Sequence, residues 1–324
     1  MTPNLFRALV ADACLSPNVH NIQPTRWRLV DNITIALIAA PDRRLAVGDP
    51  TGRDAAASHG AAFEGMTIAA SAHGIQLTAA PAETGEVARL VENGTCAPDP
   101  LAPFLTTRRT YRGKFDNRRK DAARSAAQNL SQRPHVRLIA DDAAIKDIAR
   151  LTDQATMRFF RNRPYRRELT SWMRLTKADP NWNRDGLNAR AMEMSLPLAI
   201  AAGVVMSHPL FEILDKLQLA AALTGEAAVT NTASVLVAFV QDRDTAPFQT
   251  GRDWHRLWLD LTAQGLTAAP LTILGDDEQA ASEMARRLSL PPHQRVVTVL
   301  RAGMVDASKL PPPARLPVDE LIVA

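Results

Sequence analysis

The sequence predicts an α+β fold built from two similar halves, and three observations carry that expectation. Short extended stretches alternate with helical ones along the whole chain of 324 residues. Residues 94–107, with Gly94 and three prolines (Pro98, Pro100, Pro103), mark a candidate linker between the halves. A faint internal repeat lies on either side of it. Gly60-Ala61-Ala62-Phe63 runs through a helical pattern to Gly74-Ile75, and Gly251-Arg252-Asp253-Trp254 runs through another to Gly265-Leu266, each Gly-to-Gly spacing being 14 residues. Both segments soon reach Ala-Ala-Pro, at Pro81 and Pro270, and an apolar strand precedes each helix. Duplication of one α+β unit accounts for the matched order. Chance agreement between two Ala-rich helices that end in Gly is the alternative.

The elements follow from local pattern. Leu5, Leu9 and Val10 fall at helical spacing over residues 3–15, and Ser16-Pro17 ends the run. A polar loop leads to two extended stretches, Trp27–Val30 and Ile33–Ala39, joined by Asp31-Asn32 as a hairpin. Residues 54–73 read as a helix and Ile75–Ala79 as a strand. Beyond the linker the pattern gives a helix over 119–131, a strand at Val136–Ala140 and a helix from Asp142 to Arg161. Residues 164–225 mix helical pieces, a loop at Asp179–Gly186 and an apolar run broken by Pro197. Val235–Val240 reads as a buried strand, 252–264 and 277–288 as helices, Arg295–Arg301 as a strand, and the tail is rich in proline.

Composition narrows the class. Hydrophobic residues make up 46% and charged residues 22%, the balance of a globular chain rather than a disordered one. The longest apolar run, Leu196–Met206, is too short to span a membrane, and the N-terminus reads as an amphipathic helix rather than a signal peptide. Net charge is only +4, and the basic excess is local: eight basic residues against two acidic ones lie between Arg108 and Arg124. Such a cluster fits a phosphate-bearing ligand at least as well as a nucleic-acid face, and no aromatic platform or groove-reading helix supports the latter. Cys14 and Cys96 belong to no CxxC pair, so a reducing, cytoplasmic setting is expected. Phosphate-binding Gly-rich loops, nucleophile elbows and HExxH are all missing, and no metal site is expected.

Two segments carry chemistry. Arg108-Arg109-Thr110-Tyr111-Arg112 sets three guanidinium groups and a threonine hydroxyl within five residues, a donor set suited to a phosphate. Pairing of these arginines with Asp116 and Asp121 is the plainer alternative. The loop Ser16–Pro24 offers the amides of Asn18, Asn21 and Gln23, stiffened by Pro17 and Pro24, which suits a planar heterocycle or simply a helix-ending turn.

Together the two segments point to a family. Ser16-Pro17-Asn18-x-x-Asn21-x-Gln23-Pro24 resembles the SPSxxNxQPW motif of the nitroreductase superfamily of FMN proteins, and Arg108-Arg109-Thr110-x-Arg112 resembles its RRSxRxF motif, with Phe115 one residue late. The family's order is inverted, and each half lacks the motif that the other has. With the repeat, that pattern resembles the fused, single-chain Acg-type branch, in which two nitroreductase-like halves form a pseudo-dimer. Gly251 through Gly265-Leu266 to Pro270-Leu271-Thr272 resembles the family's helix-GLxxxP segment, and Arg315-Leu316-Pro317 its late basic residue.

The resemblance implies antiparallel-rich sheets flanked by helices, with halves at 1–100 and 101–324 and a lid insertion within 164–225. It implies FMN as cofactor and NAD(P)H as electron donor. Arg108, Arg109, Thr110, Arg112 and Arg315 would bind the phosphate. Pro17, Asn18, Val19 and Asn21 would contact the isoalloxazine from the other half, and Pro270, Leu271 and Thr272 would line its N5 edge. Asn18 and Val19 replace the family's serines, Thr25 stands where it has Trp, and no residue matches its pyrimidine-edge Asn or Lys. The implied activity is reduction of a nitro or other conjugated small-molecule acceptor through flavin N5, with no side-chain acid or base nominated. The alternative is an FMN-binding protein whose shielded flavin turns over little. A monomer is expected, without nucleic-acid or membrane partners.

Overall fold

The computed structural model describes all 324 residues. The elements in chain order are α1 (Pro3–Ala13), β1 (Thr25–Leu29), β2 (Thr34–Ala39), α2 (Arg53–Ala72), β3 (Ile75–Ala80) and β4 (Ala88–Thr95); then α3 (Lys120–Gln128), β5 (Val136–Ile139), α4 (Asp142–Arg161), α5 (Arg163–Ser171), β6 (Met173–Arg174) and β7 (Leu187–Asn188). These are followed by α6 (Leu196–Val205), α7 (Leu210–Lys216), α8 (Ala220–Thr224), α9 (Ala227–Thr230), β8 (Val235–Asp242), α10 (Pro247–Ala263), β9 (Thr267–Leu271), α11 (Ile273–Asp276), α12 (Glu278–Arg287), β10 (Gln294–Gly303) and α13 (Val318–Leu321).

Two four-stranded antiparallel sheets organise the chain, one in the order β1-β2-β4-β3 and the other β5-β8-β10-β9. Counted within each sheet, both orders are first, second, fourth, third, and the long helix (α2 or α10) sits between the second and third strands. The first sheet packs one face on α1 and α2 through Phe6, Leu9, Ile35, Leu37, Phe63 and Met66. The second is covered on both faces. Val235, Val237 and Phe239 of β8 face the α3 and α10 side, while Leu236, Ala238 and Val240 face α4, α11 and α12, as the strand's two-residue period requires. That double burial explains why β8 is apolar without alternation.

Local chemistry sets the boundaries. Thr2 Oγ1 accepts the Leu5 N–H at the start of α1, with Pro3 in the first turn. Asp31 closes the β1–β2 turn by accepting from Ile33 N–H at 2.8 Å and the Thr34 hydroxyl at 3.1 Å. Asp141 and Asp277 cap α4 and α12.

The structure departs from the sequence reading in several places, among them β4 and β9, two strands that local pattern does not mark. α10 begins at Pro247, five residues before the expected start, because Pro247 takes the first turn where its missing N–H costs nothing. Residues 94–107 are not a loose linker: β4 runs to Thr95, and Leu101 and Leu105 are buried in the first core. The prolines interrupt regular structure there, but the leucines between them still need burial. Residues 140–234 form a long excursion between β5 and β8, made of α4 to α9 and the two-residue parallel pair β6–β7. The tail returns to the first sheet, where Ile322 bridges Trp27 and Leu316 and Leu321 enter the core.

No single helix is long and apolar enough to cross a membrane; α6 and α7 reach that composition only together, bent by 84°.

Candidate functional site

α2 and α10 cross at Gly60 and Gly251, and their N-terminal turns open onto a cavity of about 450 Å³. Asp54, Ala57 and Ser58 come from α2, and Pro247, Thr250, Trp254 and Trp258 from α10. All twelve residues singled out from sequence line this one cavity: Pro17, Asn18, Val19, Asn21, Arg108, Arg109, Thr110, Arg112, Pro270, Leu271, Thr272 and Arg315. They come together through pairing that local pattern does not reveal. Tyr111 N–H donates to Ala268 O at 3.1 Å, and a parallel bridge joins Thr110 to Ala268, which sets the arginine turn beside the end of β9.

One end of the cavity is basic, and Glu226, which lines the same cavity, acts on Arg112 through space without forming an ion pair. The Arg108 side chain is buried, with its guanidinium 4.8 Å over the Trp258 ring. Its Nη2 donates to Leu15 O at 2.6 Å, while Nε and Nη1 have no partner. Arg315 donates to Cys14 O at 2.6 Å, to Leu15 O and Ser16 O, and to Asn21 Oδ1 at 2.8 Å. Two guanidinium groups therefore satisfy the carbonyls at the C-terminal end of α1. Arg109 donates to the Thr106 and Arg108 carbonyls. Arg108, Arg109, Arg112 and Arg315 form no ion pair; Asp116, the expected alternative partner, binds Arg118 instead. Burial, then Arg315 and Arg109, press the Arg108 pKa down to about 9. Such a cluster is complementary to an anion.

The polar loop is spent on holding itself in place. Asn18 Oδ1 accepts from Gln23 N–H, and its amide nitrogen donates to Ser16 O. Asn21 donates to Gly186 O and Ala314 O, and Gln23 donates to Arg184 O while accepting from Leu316 N–H. Asn18 thus braces the loop itself, while Asn21 and Gln23 join it to the long excursion and to the tail. His20, Asn21 and Gln23 adopt φ of +44°, +55° and +53°, a strain held by this network. Asp185 adds a pin: Oδ2 accepts from Arg43 at 2.6 Å and Oδ1 from Arg174 at 2.7 Å.

The cavity also holds residues that sequence reasoning did not select. Arg53 bridges two carboxylates, with Nη2 at 2.5 Å from Asp276 and Nε at 3.2 Å from Asp54. Burial, then Asp54, raises the Asp276 pKa to about 7. Burial, with Asp276, Asp54 and Glu168 adding to it, pushes Tyr165 up to about 12. Burial, with Arg112, holds His20 down at about 4, so it is neutral. Arg295 and Thr298 reach the same wall from β10. Only His20 sits in a local motif, at one of its variable positions; the folding of five separate segments onto one cavity reveals the others.

Over 74 residues the chain is 35% identical to the protein acg of Mycobacterium tuberculosis, named as an NAD(P)H nitroreductase, in two strains. The matched segment is 23% of this chain and 22% of the length of those curated relatives. No family model matches it. Solved structures similar to it include the FMN- and NADPH-dependent nitroreductase NfnB of Sphigopyxis sp. strain HMH, at 17% identity and a TM-score of 0.39, covering 70% of this chain and 99% of that one. NfnB of Mycobacterium smegmatis in complex with NADPH is similar at 15% identity and a TM-score of 0.38, covering 67% and 94%.

Proposed function

We propose that this chain binds FMN in the cavity and acts as an FMN-dependent oxidoreductase of nitroreductase type, reducing a nitro or other conjugated acceptor through flavin N5 with NAD(P)H as donor. The observation that carries this reading is the arginine cluster. Four guanidinium groups with no carboxylate in ion-pair contact, two of Arg108's nitrogens among them unpartnered, fit the dianionic phosphate of FMN. Arg108, Arg109, Thr110, Arg112 and Arg315 hold that phosphate in this reading. Pro17, Asn18, Val19 and Asn21 cover the ring from the first half. Pro270, Leu271 and Thr272 border its N5 edge, where backbone N–H groups favour developing negative charge. When bound, FMN supplies the hydride chemistry, so the protein needs no nucleophile of its own.

The same reading takes residues 1–100 and 101–324 as the two halves of a pseudo-dimer. The shared strand order and the reciprocal crossing of α2 and α10 support it. One chain then furnishes both sides of the cavity and functions as a monomer in the cytoplasm.

A visible spectrum of the purified protein, before and after anaerobic NADPH, tests the proposal. Flavin bands that bleach are the expected result, and no flavin band even after incubation with FMN would overturn it. A second reading, a shielded flavin with little turnover, is favoured by one feature. Tyr165, Leu169, Gly186–Asn188 and Thr224 of the long excursion wall the cavity, and Asp185 fixes that wall to the first half. Bands that persist with NADPH yet bleach with dithionite would select it.

A further inference from the structure

The end of the cavity away from the arginine cluster is built around a carboxyl group that the proposed function leaves unused. Asp276 closes the single turn of α11 that follows Thr272, and its backbone N–H donates to Thr272 O at 3.1 Å. Its carboxyl shares the Arg53 guanidinium with Asp54, so two carboxylates compete for one cation across the α2–α11 contact. Thr298 Oγ1, on the same cavity wall, is 98% buried (2% exposed) and has no hydrogen-bond partner. An unsatisfied buried hydroxyl in the same cavity as a crowded carboxyl pair marks a place where a polar ligand group completes the hydrogen bonding.

We propose that Asp276 donates a proton to the acceptor reduced in this cavity, an inference that rests on the oxidoreductase reading above. Two-electron reduction of a nitro or quinone-type acceptor takes up two electrons and two protons. FMN, when bound and reduced, would supply one of these protons together with the electrons as hydride. The second must come from an acid beside the acceptor. The Asp276 O–H bond breaks, an O–H bond forms on the acceptor oxygen, and the carboxylate left behind, paired with Arg53, is reprotonated from solvent. A nitro group then sheds water to give the nitroso product, and a quinone becomes the hydroquinone.

Burial raises both carboxyls that share Arg53, and Asp276, hydrogen-bonded to the Thr272 side chain, is the one that adjoins the proposed N5 edge. It faces Arg53 and Asp54 from α2, with Asp49 behind them in the preceding turn, Arg295 from β10, Thr272 from its own turn, and Tyr165 from α5, with Glu168 beyond Tyr165. Its sequence neighbour Asp277 is held by Arg158 and caps α12. Tyr165, at about 12, gives up its proton too reluctantly, and His20, at about 4, carries none at neutral pH. Burial and Asp54 keep the Asp276 proton in place up to about pH 7.

The test compares wild type with Asp276→Asn and Asp276→Glu. FMN affinity is measured first, then acceptor-driven reoxidation of the reduced protein by stopped flow from pH 5 to 9, with infrared titration of the carboxyl band in the flavin-free protein. The expected wild-type rate falls as pH rises through about 7. D276N binds FMN as wild type does, loses at least tenfold in reoxidation at pH 6 and loses the pH dependence, while reduction by dithionite is unchanged. D276E restores part of the rate, and the carboxyl that titrates near 7 is missing only from D276N. Two results would each sink the proposal while leaving the oxidoreductase reading intact: D276N binding FMN with the wild-type rate and pH profile, or Asp276 titrating in the ordinary carboxylate range. Failure of wild type to bind FMN would remove that reading and this proposal together.

Discussion

Gly60 of α2 and Gly251 of α10 make the same contact in opposite directions. A methyl group on Gly60 would lie 1.8 Å from the carbonyl oxygen of Phe248, and one on Gly251 would lie 1.8 Å from that of Ala57. Phe248 and Ala57 each stand three residues before the glycine of their own helix, so the crossing has the reciprocity of a two-fold axis within one chain. Polar contacts at the crossing depart from that symmetry. Buried Glu64 of α2 accepts from Arg252 and Arg256 at 2.8 Å each, whereas His255 of α10 binds Ala61 O at 2.8 Å.

Gly60→Ala therefore forces a side chain into backbone that has no room to give. We expect a stability loss of about 3 kcal/mol or more, beyond ordinary overpacking, because a carbonyl rather than a flexible side chain is in the way. Gly251→Ala should cost a similar amount. Gly74→Ala, which meets nothing within 4 Å but has φ of +74°, should cost only its backbone strain, about 1 kcal/mol. Chemical denaturation of the three variants tests the ranking.

Arg108→Met separates binding from folding. The buried, unneutralised guanidinium costs stability in the free protein, so its removal should leave the melting temperature equal or higher. FMN affinity should fall at least about tenfold, or about 1.4 kcal/mol. Calorimetric titration with FMN and thermal melts of the flavin-free protein supply the two numbers. A variant that binds FMN unchanged would remove the main support for the phosphate assignment.

Asp185 holds the long excursion to the first half. Asp185→Ala strands the Arg43 and Arg174 cations and should cost about 3–5 kcal/mol locally. Protease cleavage around residues 179–190 should appear or accelerate in that variant. If FMN seats against this wall, added FMN should slow cleavage in wild type as well.

Acid should weaken the fold through its histidines. Burial pushes the His20, His59 and His255 pKa values down to about 4, about 4 and about 3, while each titrates near 6.5 in the unfolded chain. Between these limits the unfolded state binds more protons. The stabilising contribution is complete above about pH 6.5 and is lost as pH falls through 6.5 toward 4. Asp276 has the opposite sign: its raised pKa lowers stability as pH rises from about 4 to 7. Melting curves of His59→Gln and His255→Gln should show a shallower acid slope than wild type, by about one proton each.

The sequence by itself determined a good deal of this protein. The helices over 53–72, 142–161 and 278–287 and the strands at 75–80, 235–242 and 294–303 follow from periodicity and caps, which act over a few residues. It also singled out twelve residues that the fold gathers around one cavity, because a run of arginines and a proline-bounded amide loop are local patterns. Tertiary structure decided the rest. It alone assigns the loop amides to protein partners, since Gly186, Ala314 and Leu316 are more than a hundred residues away in sequence. It alone leaves the arginine cluster without an ion pair and sets Arg53, Asp54, Tyr165, Asp276 and Arg295 on a common wall. The reason is physical. Secondary structure is fixed by neighbours along the chain, whereas the charge state of a buried group depends on which distant groups the fold brings within a few ångströms and which it keeps apart.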